Sequence, residues 1–140
     1  MANPESVARE AIEAIQRNDM TRYKELLHPE YSYRSGDNQV QRGQDAGIAV
    51  VQMYRTAFPD DMKIDVQRIH TSGDTAIMEF IGKGTHRGEL AGIAPTGRRV
   101  EIPVITVLEI RDGKIHTERE YMDSAYLMQQ LGVVPATATA

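Results

Sequence analysis

The sequence predicts an α+β domain in which N-terminal helices pack in the concavity of a curved antiparallel β-sheet. Apolar residues recur at the helical period up to about residue 58 and alternate with polar residues from residue 62 onward. The dipeptide Asp112-Gly113 between two alternating segments is typical of a two-residue hairpin turn. This single change of period predicts helices first and a meander of four antiparallel strands afterwards.

Three helices are predicted before the sheet. The first can be capped by Asn3 and has a proline at its first position, and its apolar residues recur at helical spacing. The second runs over about residues 20–27 and stops before Pro29. The third runs over residues 44–58 and again ends before a proline. The segment 31–43 is predicted to be a short strand or a loop.

Four strands and a last helix are predicted after the third helix. The turn at residues 72–74 separates the first two strands, and Asp123 or Ser124 can cap the last helix, which a glycine ends. The alternating residues that mark the strands are Met62, Ile64 and Val66, then Ala76, Met78 and Phe80, then Val100, Ile102, Val104, Leu108 and Ile110.

Length and composition exclude several classes of protein. A chain of 140 residues fits one domain. Its 16 basic and 20 acidic residues give a net charge of −4 with interleaved signs, which argues against a nucleic-acid partner. The absence of cysteine excludes disulfides and a thiol nucleophile. Because we find neither the apolar core of a signal peptide nor a stretch of about 18 apolar residues, we expect a cytoplasmic protein without a membrane partner.

Motifs for metal, nucleotide and nucleophilic chemistry are not found. The four histidines lie in different segments, and none has a second ligand at a ligand-like spacing, so we predict no metal site. The glycines of residues 82–88 lack the order of a phosphate loop, and no serine stands on a strand-to-helix elbow. We therefore expect no cofactor, and acid–base chemistry by carboxylates remains.

The stretch "THRGE" is predicted to be half of a site that Glu120 completes. Arg87 and Glu89 are two positions apart, so on one strand they point to the same face, where the arginine could hold a carboxylate ionised. Glu118 and Glu120 are also two apart on the last strand. If Glu120 approaches Glu89 in a desolvated cavity, one carboxyl is ionised and the other tends to keep its proton, with His86 beside them.

The alternative interpretation is a solvated strand end, because charged residues on antiparallel strands are mostly exposed. An unbulged turn at residues 112–113 places Glu120 opposite Ile105, on the outer face of the sheet. A β-bulge near Tyr121 is needed to turn Glu120 inward.

Several motifs together resemble one family. "GTHRGELAGIAPTGRRV", "IRDGKI" and "EREYMDSAYLMQQLG" are similar to the SnoaL-like polyketide cyclases of the nuclear-transport-factor-2-like superfamily. The resemblance covers about residues 5–132 of a single domain, residues 1–140, and the remaining tail, residues 133–140, is expected to be flexible. It implies a cone-shaped fold with a deep apolar pocket for a small apolar carbonyl compound, and commonly a homodimer.

The resemblance also implies roles for individual residues. In the cyclases an aspartate near the end of the last strand removes a substrate proton before an intramolecular aldol closure, and the matching position is Glu120. Those enzymes place a histidine on the preceding strand where this chain has Thr106. Tyr31, Tyr33 and Tyr54 are expected to line the substrate pocket, as aromatic side chains do in many small-molecule sites.

A second branch of the superfamily, the limonene-type epoxide hydrolases, resembles the chain differently. There, two carboxylates flank an arginine, and the matching residues are Glu89, Glu120 and Arg87, with Tyr33 and Ser35 at the places of a tyrosine and an asparagine that hold water. Three hypotheses follow: a cyclase or isomerase first, a cofactor-free epoxide hydrolase second, and a non-catalytic module that binds a small ligand third.

A homodimer through the outer face of the sheet is predicted from the residues as well. One strand carries Pro103, Ile105 and Val107 on the side opposite its other apolar face. A sheet that is apolar on both sides must cover both.

Overall fold

The structure, a computed structural model, describes residues 3–133, so the predicted flexible tail beyond Val133 lies outside the described residues. No helix in this part of the chain is both long and apolar enough to cross a membrane. The helices are α1 (Pro4–Gln16), α2 (Met20–Leu26), α3 (Gln44–Ala57) and α4 (Ser124–Leu131). The strands are β1 (Leu27–Arg34), β2 (Val40–Arg42), β3 (Lys63–Ser72), β4 (Thr75–Thr85), β5 (Arg99–Arg111) and β6 (Lys114–Met122).

The six strands form one sheet in the order β2-β1-β6-β5-β4-β3. The predicted antiparallel meander is confirmed, because β3, β4, β5 and β6 pair with their neighbours in chain order. Along β5 buried and exposed residues alternate strictly over most of its length, as a sheet with one covered face requires. The α+β architecture is therefore as the sequence predicts.

Local signals fix the helix ends. The side chain of Asn3 accepts a hydrogen bond of 2.7 Å from the backbone N–H of Ser6, which caps α1 as predicted. Asp123 caps α4 in the same way, and Gly132 ends it in the left-handed conformation. The apolar face of α1, formed by Val7, Ala8, Ala11 and Ala14, is buried against α2 and strands β3, β4 and β5.

Strand β1 is the main departure from the predicted topology. It pairs with β6 in parallel, and Leu27, predicted as the end of the second helix, is its first residue. Local sequence patterns do not reveal this contact, because β2, α3, β3, β4 and β5 lie between β1 and β6 in the chain. The register of the pair shifts between Leu27 and Ser32, an irregular segment that accommodates Pro29.

The hairpin between β5 and β6 contains a β-bulge. Asp112 and Gly113 both have positive φ, 55° and 72°, as a tight two-residue turn requires. Ile110 is opposite Ile115, but Glu109 is opposite Thr117, so His116 is the extra residue. A bulge that turns Glu120 inward therefore exists, five residues before Tyr121, and it reverses the face of every later residue of β6.

Candidate active site

A cavity lies between the inner face of the sheet and the helices. It contains about 950 Å³ of empty space, counting its open mouth. Most of the wall is apolar. The aromatic residues of the wall are Tyr23, Tyr31, Tyr33, Tyr54, Phe58 and Phe80, and its other polar residues are Lys63, Lys83, Thr106, Glu118 and Glu120.

Two carboxylates of strand β6 face this cavity. The bulge at His116 places Glu118 opposite Leu108 and Glu120 opposite Thr106, two residues of β5 that are buried on the inner face. Glu118 and Glu120 are only partly accessible, and both line the cavity. A strand that would otherwise present its acidic residues to solvent thus presents them to an apolar space.

Each carboxylate has its own tyrosine on strand β1. The hydroxyl of Tyr31 donates a hydrogen bond of 2.8 Å to Oε1 of Glu118. The hydroxyl of Tyr33 donates one of 2.7 Å to Oε2 of Glu120. Both distances are typical of strong O–H···O hydrogen bonds. The parallel pairing of β1 with β6 is what brings these two tyrosines beside the two glutamates.

The apolar surroundings change the acidity of both carboxyls. Desolvation raises the pKa of Glu118 to about 7, with a further contribution from the neighbouring charge of Glu120, and the hydrogen bond from Tyr31 opposes the increase. Desolvation also raises the pKa of Glu120, and the hydrogen bond from Tyr33 lowers it. Burial and the adjacent carboxylates raise the pKa values of both tyrosines, so these hydroxyls remain donors.

Three other polar side chains complete the wall. Thr106 is 2% exposed, and its Oγ1 has no hydrogen-bonding partner among residues 3–133. It lies opposite Glu120 in the sheet, at the position where the sequence resemblance placed it. Tyr54 of α3 and Tyr23 of α2 also line the cavity, and burial raises the pKa of each hydroxyl.

The predicted half-site "THRGE" is not brought together with Glu120. Strand β4 ends at Thr85, so the expectation that Arg87 and Glu89 share a strand face is wrong. The backbone N–H groups of Arg87 and Gly88 both donate to the carbonyl of Ala57, which docks this loop on the end of α3. Arg87 is exposed and pairs with Asp60 at 3.2 Å, and Glu89 is exposed; neither lines the cavity.

Two further predicted residues lie outside the cavity wall. His86 is fully buried, but its Nδ1 accepts a hydrogen bond from the backbone N–H of Thr96, and its ring packs against Phe58. His86 therefore stabilises the loop that precedes β5. The hydroxyl of Ser35 donates to Asp37 in the turn after β1.

Two residues of the cavity wall, Glu118 and Tyr23, have no predicted role in the site from the sequence. The spacing could have indicated Glu118 as a cavity residue. Glu118 lies two positions before Glu120, and residues two apart on a strand point to the same face.

The expectation that the histidines lack neighbouring ligands also needs correction. Potential ligand atoms of His28, Glu30 and His116 lie within 4.8 Å of one another, where the irregular part of β1 meets the bulge of β6. Every ring nitrogen of the two histidines already has a hydrogen-bonding partner, on Glu30, Asp112, Arg111 or Thr117.

Known proteins share both the sequence pattern and the fold. The model of the SnoaL-like polyketide cyclase family matches residues 5–131. The chain is similar to the aklanonic acid methyl ester cyclase AcmA of Streptomyces galilaeus, with 28% identity over 134 residues that cover 94% of this chain and 92% of that protein.

Solved structures with the same fold include proteins from other branches. A candidate SnoaL-like polyketide cyclase from Jannaschia Sp. CCS1 has a TM-score of 0.86 at 20% identity, covering 94% of this chain and 93% of that one. An LEH-like epoxide hydrolase of M. tuberculosis has a TM-score of 0.70 at 18% identity, covering 90% and 86%. At these identities the structural likeness establishes the fold, whereas the sequence match extends over nearly the whole described chain. The chain therefore belongs to the SnoaL-like polyketide cyclase family.

Proposed function

We propose that the protein is a cofactor-independent cyclase that closes a ring in a neutral, polyketide-derived carbonyl compound by an intramolecular aldol reaction. The observation that carries this proposal is Glu120, a carboxylate that faces an apolar cavity and is held by Tyr33. Membership of the cyclase family supports the same reaction class.

In the first step Glu120 removes a proton from the carbon next to a substrate carbonyl. A carboxylate is a stronger base where desolvation raises its pKa, and the hydrogen bond from Tyr33 keeps part of the population ionised. The free hydroxyl of Thr106, opposite Glu120, can donate to the oxygen on which the negative charge of the enolate develops.

In the second step the enolate carbon attacks another carbonyl carbon of the same molecule. One C–C bond forms, the attacked carbonyl oxygen becomes an alkoxide, and the alkoxide takes up a proton. No atom leaves, so the product is an isomer of the substrate. The cavity contributes by holding a flexible molecule folded with its two reacting carbons close together.

The charges of the wall favour a neutral substrate. Glu118 and Glu120 already share the cavity, and of its two lysines Lys63 is exposed and Lys83 pairs with Asp65 at 3.1 Å. A further carboxylate would have to leave water for an apolar space that already holds two acidic groups, and the unpaired lysine of the described wall, Lys63, is exposed to solvent. The similar protein AcmA is named for a methyl ester, and we propose that this chain likewise takes an ester in preference to the free acid.

The position of Arg87 favours the cyclase over the epoxide hydrolase. A hydrolase of that type needs an arginine between two carboxylates, and in this chain Arg87 pairs with Asp60 outside the cavity wall. Glu118 and Glu120 face the cavity instead, and among the described residues that line the cavity there is no arginine to bridge them.

The experiment is turnover of aklanonic acid methyl ester and of the corresponding free acid by the purified protein, followed by chromatography and mass spectrometry. We expect a product of unchanged mass from the ester, and little from the acid. Glu120→Gln keeps the shape of the side chain but removes the base, and should lower the rate by about 10²- to 10⁴-fold.

Glu101→Gln, on the exposed face of β5, is the matched control and should retain the wild-type rate. Tight binding of the ester without turnover would indicate a binding module instead. Equal rates for wild type and Glu120→Gln would refute the proposed base.

A further inference from the structure

We propose that Glu118 is a second catalytic residue of the cavity, which in its protonated form supplies the proton taken up by the new alkoxide. This inference rests on the proposed function, in which Glu120 is the base. It assigns removal and delivery of the proton to two different carboxyls.

The geometry of β6 supports this division. Glu118 and Glu120 are two positions apart on one face of the strand, which separates their Cα atoms by about 7 Å. Both line the cavity, so a bound molecule can contact both carboxyls. This separation of the two carboxyls suits an aldol reaction. In that reaction one proton is removed from a carbon, and a second proton is added to an oxygen several bonds away.

The surroundings make it costly for both groups to be ionised. Glu118 is faced by Tyr31 from β1, by Tyr23 from α2 and by Leu108 from β5, and its nearest charged neighbour in the wall is Glu120. Within residues 3–133 neither glutamate has a basic side chain within 4.0 Å. Two like charges in an apolar space therefore favour one ionised and one protonated group.

The residues opposite the two carboxyls indicate which one keeps the proton. Glu118 lies opposite the apolar Leu108, whereas Glu120 lies opposite Thr106, whose free hydroxyl can donate to a carboxylate. Desolvation raises the pKa of Glu118 to about 7, and the neighbouring charge of Glu120 adds to the increase. For Glu120 desolvation is the principal cause of the increase, and Tyr33 opposes it. We therefore assign the carboxylate to Glu120 and the proton to Glu118.

The proton transfers balance over one turnover. Glu120 takes the proton from carbon and becomes the carboxylic acid, and Glu118 gives its proton to the alkoxide and becomes the carboxylate. After the product leaves, water in the open cavity transfers a proton from Glu120 to Glu118 and restores the starting state. Tyr31 acts as a positioning residue, because its bond to Oε1 of Glu118 leaves Oε2 to carry the proton.

The test separates removal of the proton from ring closure. The substrate, aklanonic acid methyl ester, is incubated in D₂O with wild type, Glu118→Gln and Glu120→Gln. Deuterium incorporation into unreacted ester is measured by mass spectrometry, and ring closure by chromatography. An amide can hydrogen-bond to Tyr31 but cannot deliver a proton.

We expect Glu118→Gln to keep exchanging the carbon-bound proton while its rate of ring closure drops by about 10²-fold or more. Glu120→Gln should lose both. If Glu118→Gln closes the ring at the wild-type rate while Glu120→Gln does not, the role of Glu118 is refuted and the proposed function stands. If wild type neither exchanges nor closes the ring, both are refuted.

The pH profile of kcat gives a second measurement on wild type alone. A required acid with a pKa of about 7 makes kcat fall as the pH rises through that value. This alkaline decline should disappear from the residual activity of Glu118→Gln. A wild-type profile that stays flat up to pH 9 would contradict the proposal, whether or not the variant folds.

Discussion

The hydroxyl of Tyr33 donates a 2.7 Å hydrogen bond to Oε2 of Glu120, across 87 positions of the sequence. This contact stabilises the ionised form of the carboxyl and lowers its pKa against the desolvation that raises it. The reactivity of the proposed base, Glu120, is therefore tuned by a residue of the first strand.

Replacing Tyr33 by Phe should raise the pKa of Glu120, because the hydrogen bond that favours the carboxylate is lost. The acidic limb of the kcat/KM profile should move to higher pH, and activity at pH 6 should drop about tenfold, as expected for loss of a hydrogen bond to a charged group. The control is Tyr121→Phe, an exposed tyrosine that contacts Arg34. Superimposable profiles for wild type and Tyr33→Phe would contradict this assignment.

The raised pKa of Glu118 also predicts how stability depends on pH. Between pH 4.5 and about 7 the folded chain holds a proton that the unfolded chain has released, so the free energy of unfolding decreases as the pH rises through this window. The contribution is up to about 3 kcal/mol. Glu118→Gln should therefore be more stable than wild type at pH 8, with a smaller difference at pH 5, in urea unfolding. If the difference in the free energy of unfolding between Glu118→Gln and wild type is the same at pH 5 and pH 8, Glu118 does not titrate in this range.

Arg87→Ala and Glu89→Gln test the hydrolase interpretation. Both side chains are exposed and lie outside the cavity wall, so each variant should retain most of the cyclase activity and change stability by less than about 0.5 kcal/mol. Activity is measured with the ester and, separately, with a limonene-type epoxide. Hydrolysis of the epoxide that disappears in either variant would favour the arginine-bridged site.

Gly47→Ala should disturb the site from the helix side. A Cβ at this position of α3 would stand 2.8 Å from Cε1 of Tyr31 and 2.9 Å from Cδ1 of Leu27. The crowding should cost about 1–3 kcal/mol of stability and displace the hydroxyl that holds Glu118. Thermal unfolding and ring-closure rates measure the two effects. Gly36→Ala is the control, because no atom would lie within 4 Å of a Cβ added at that position. If Gly47→Ala has the stability and the ring-closure rate of wild type, the close packing is contradicted.

The homodimer stays a prediction from the sequence. Ile105 is 42% exposed on the outer face of the sheet, opposite Tyr121, which is 45% exposed. If this face binds a second copy, Ile105→Lys should convert the dimer to a species of 15.6 kDa in sedimentation, whereas Val40→Lys on edge strand β2 should not. A wild-type monomer at micromolar concentration would refute the dimer.

Local signals in the sequence account for most of the fold. Caps such as Asn3 and Asp123, and the turn at Asp112, act within a few residues and were predicted correctly. The parallel contact of β1 with β6 depends on residues far apart in the chain, and no periodicity reports it.

The site was only partly predictable for related reasons. Glu120 was selected because of its place in the family pattern, but its inward orientation depends on one extra residue at His116. The segment from Thr117 to Met122 is mostly polar on both faces, so its composition does not reveal which face is covered. Arg87 and Glu89 were misplaced because a loop docked on Ala57 ends the strand before them.

The parallel pairing of β1 with β6 has a consequence for the time course of folding. Because Tyr31 and Tyr33 meet their glutamates across 87 positions, these contacts close a long loop of the chain. Contacts of such separation slow folding, and they form only once both partner strands are available. During synthesis the tyrosines emerge from the ribosome long before β6 does. A chain released before residue 114 would contain every helix up to α3 and most of the cavity wall, yet neither of the two carboxyls on which the proposed chemistry depends.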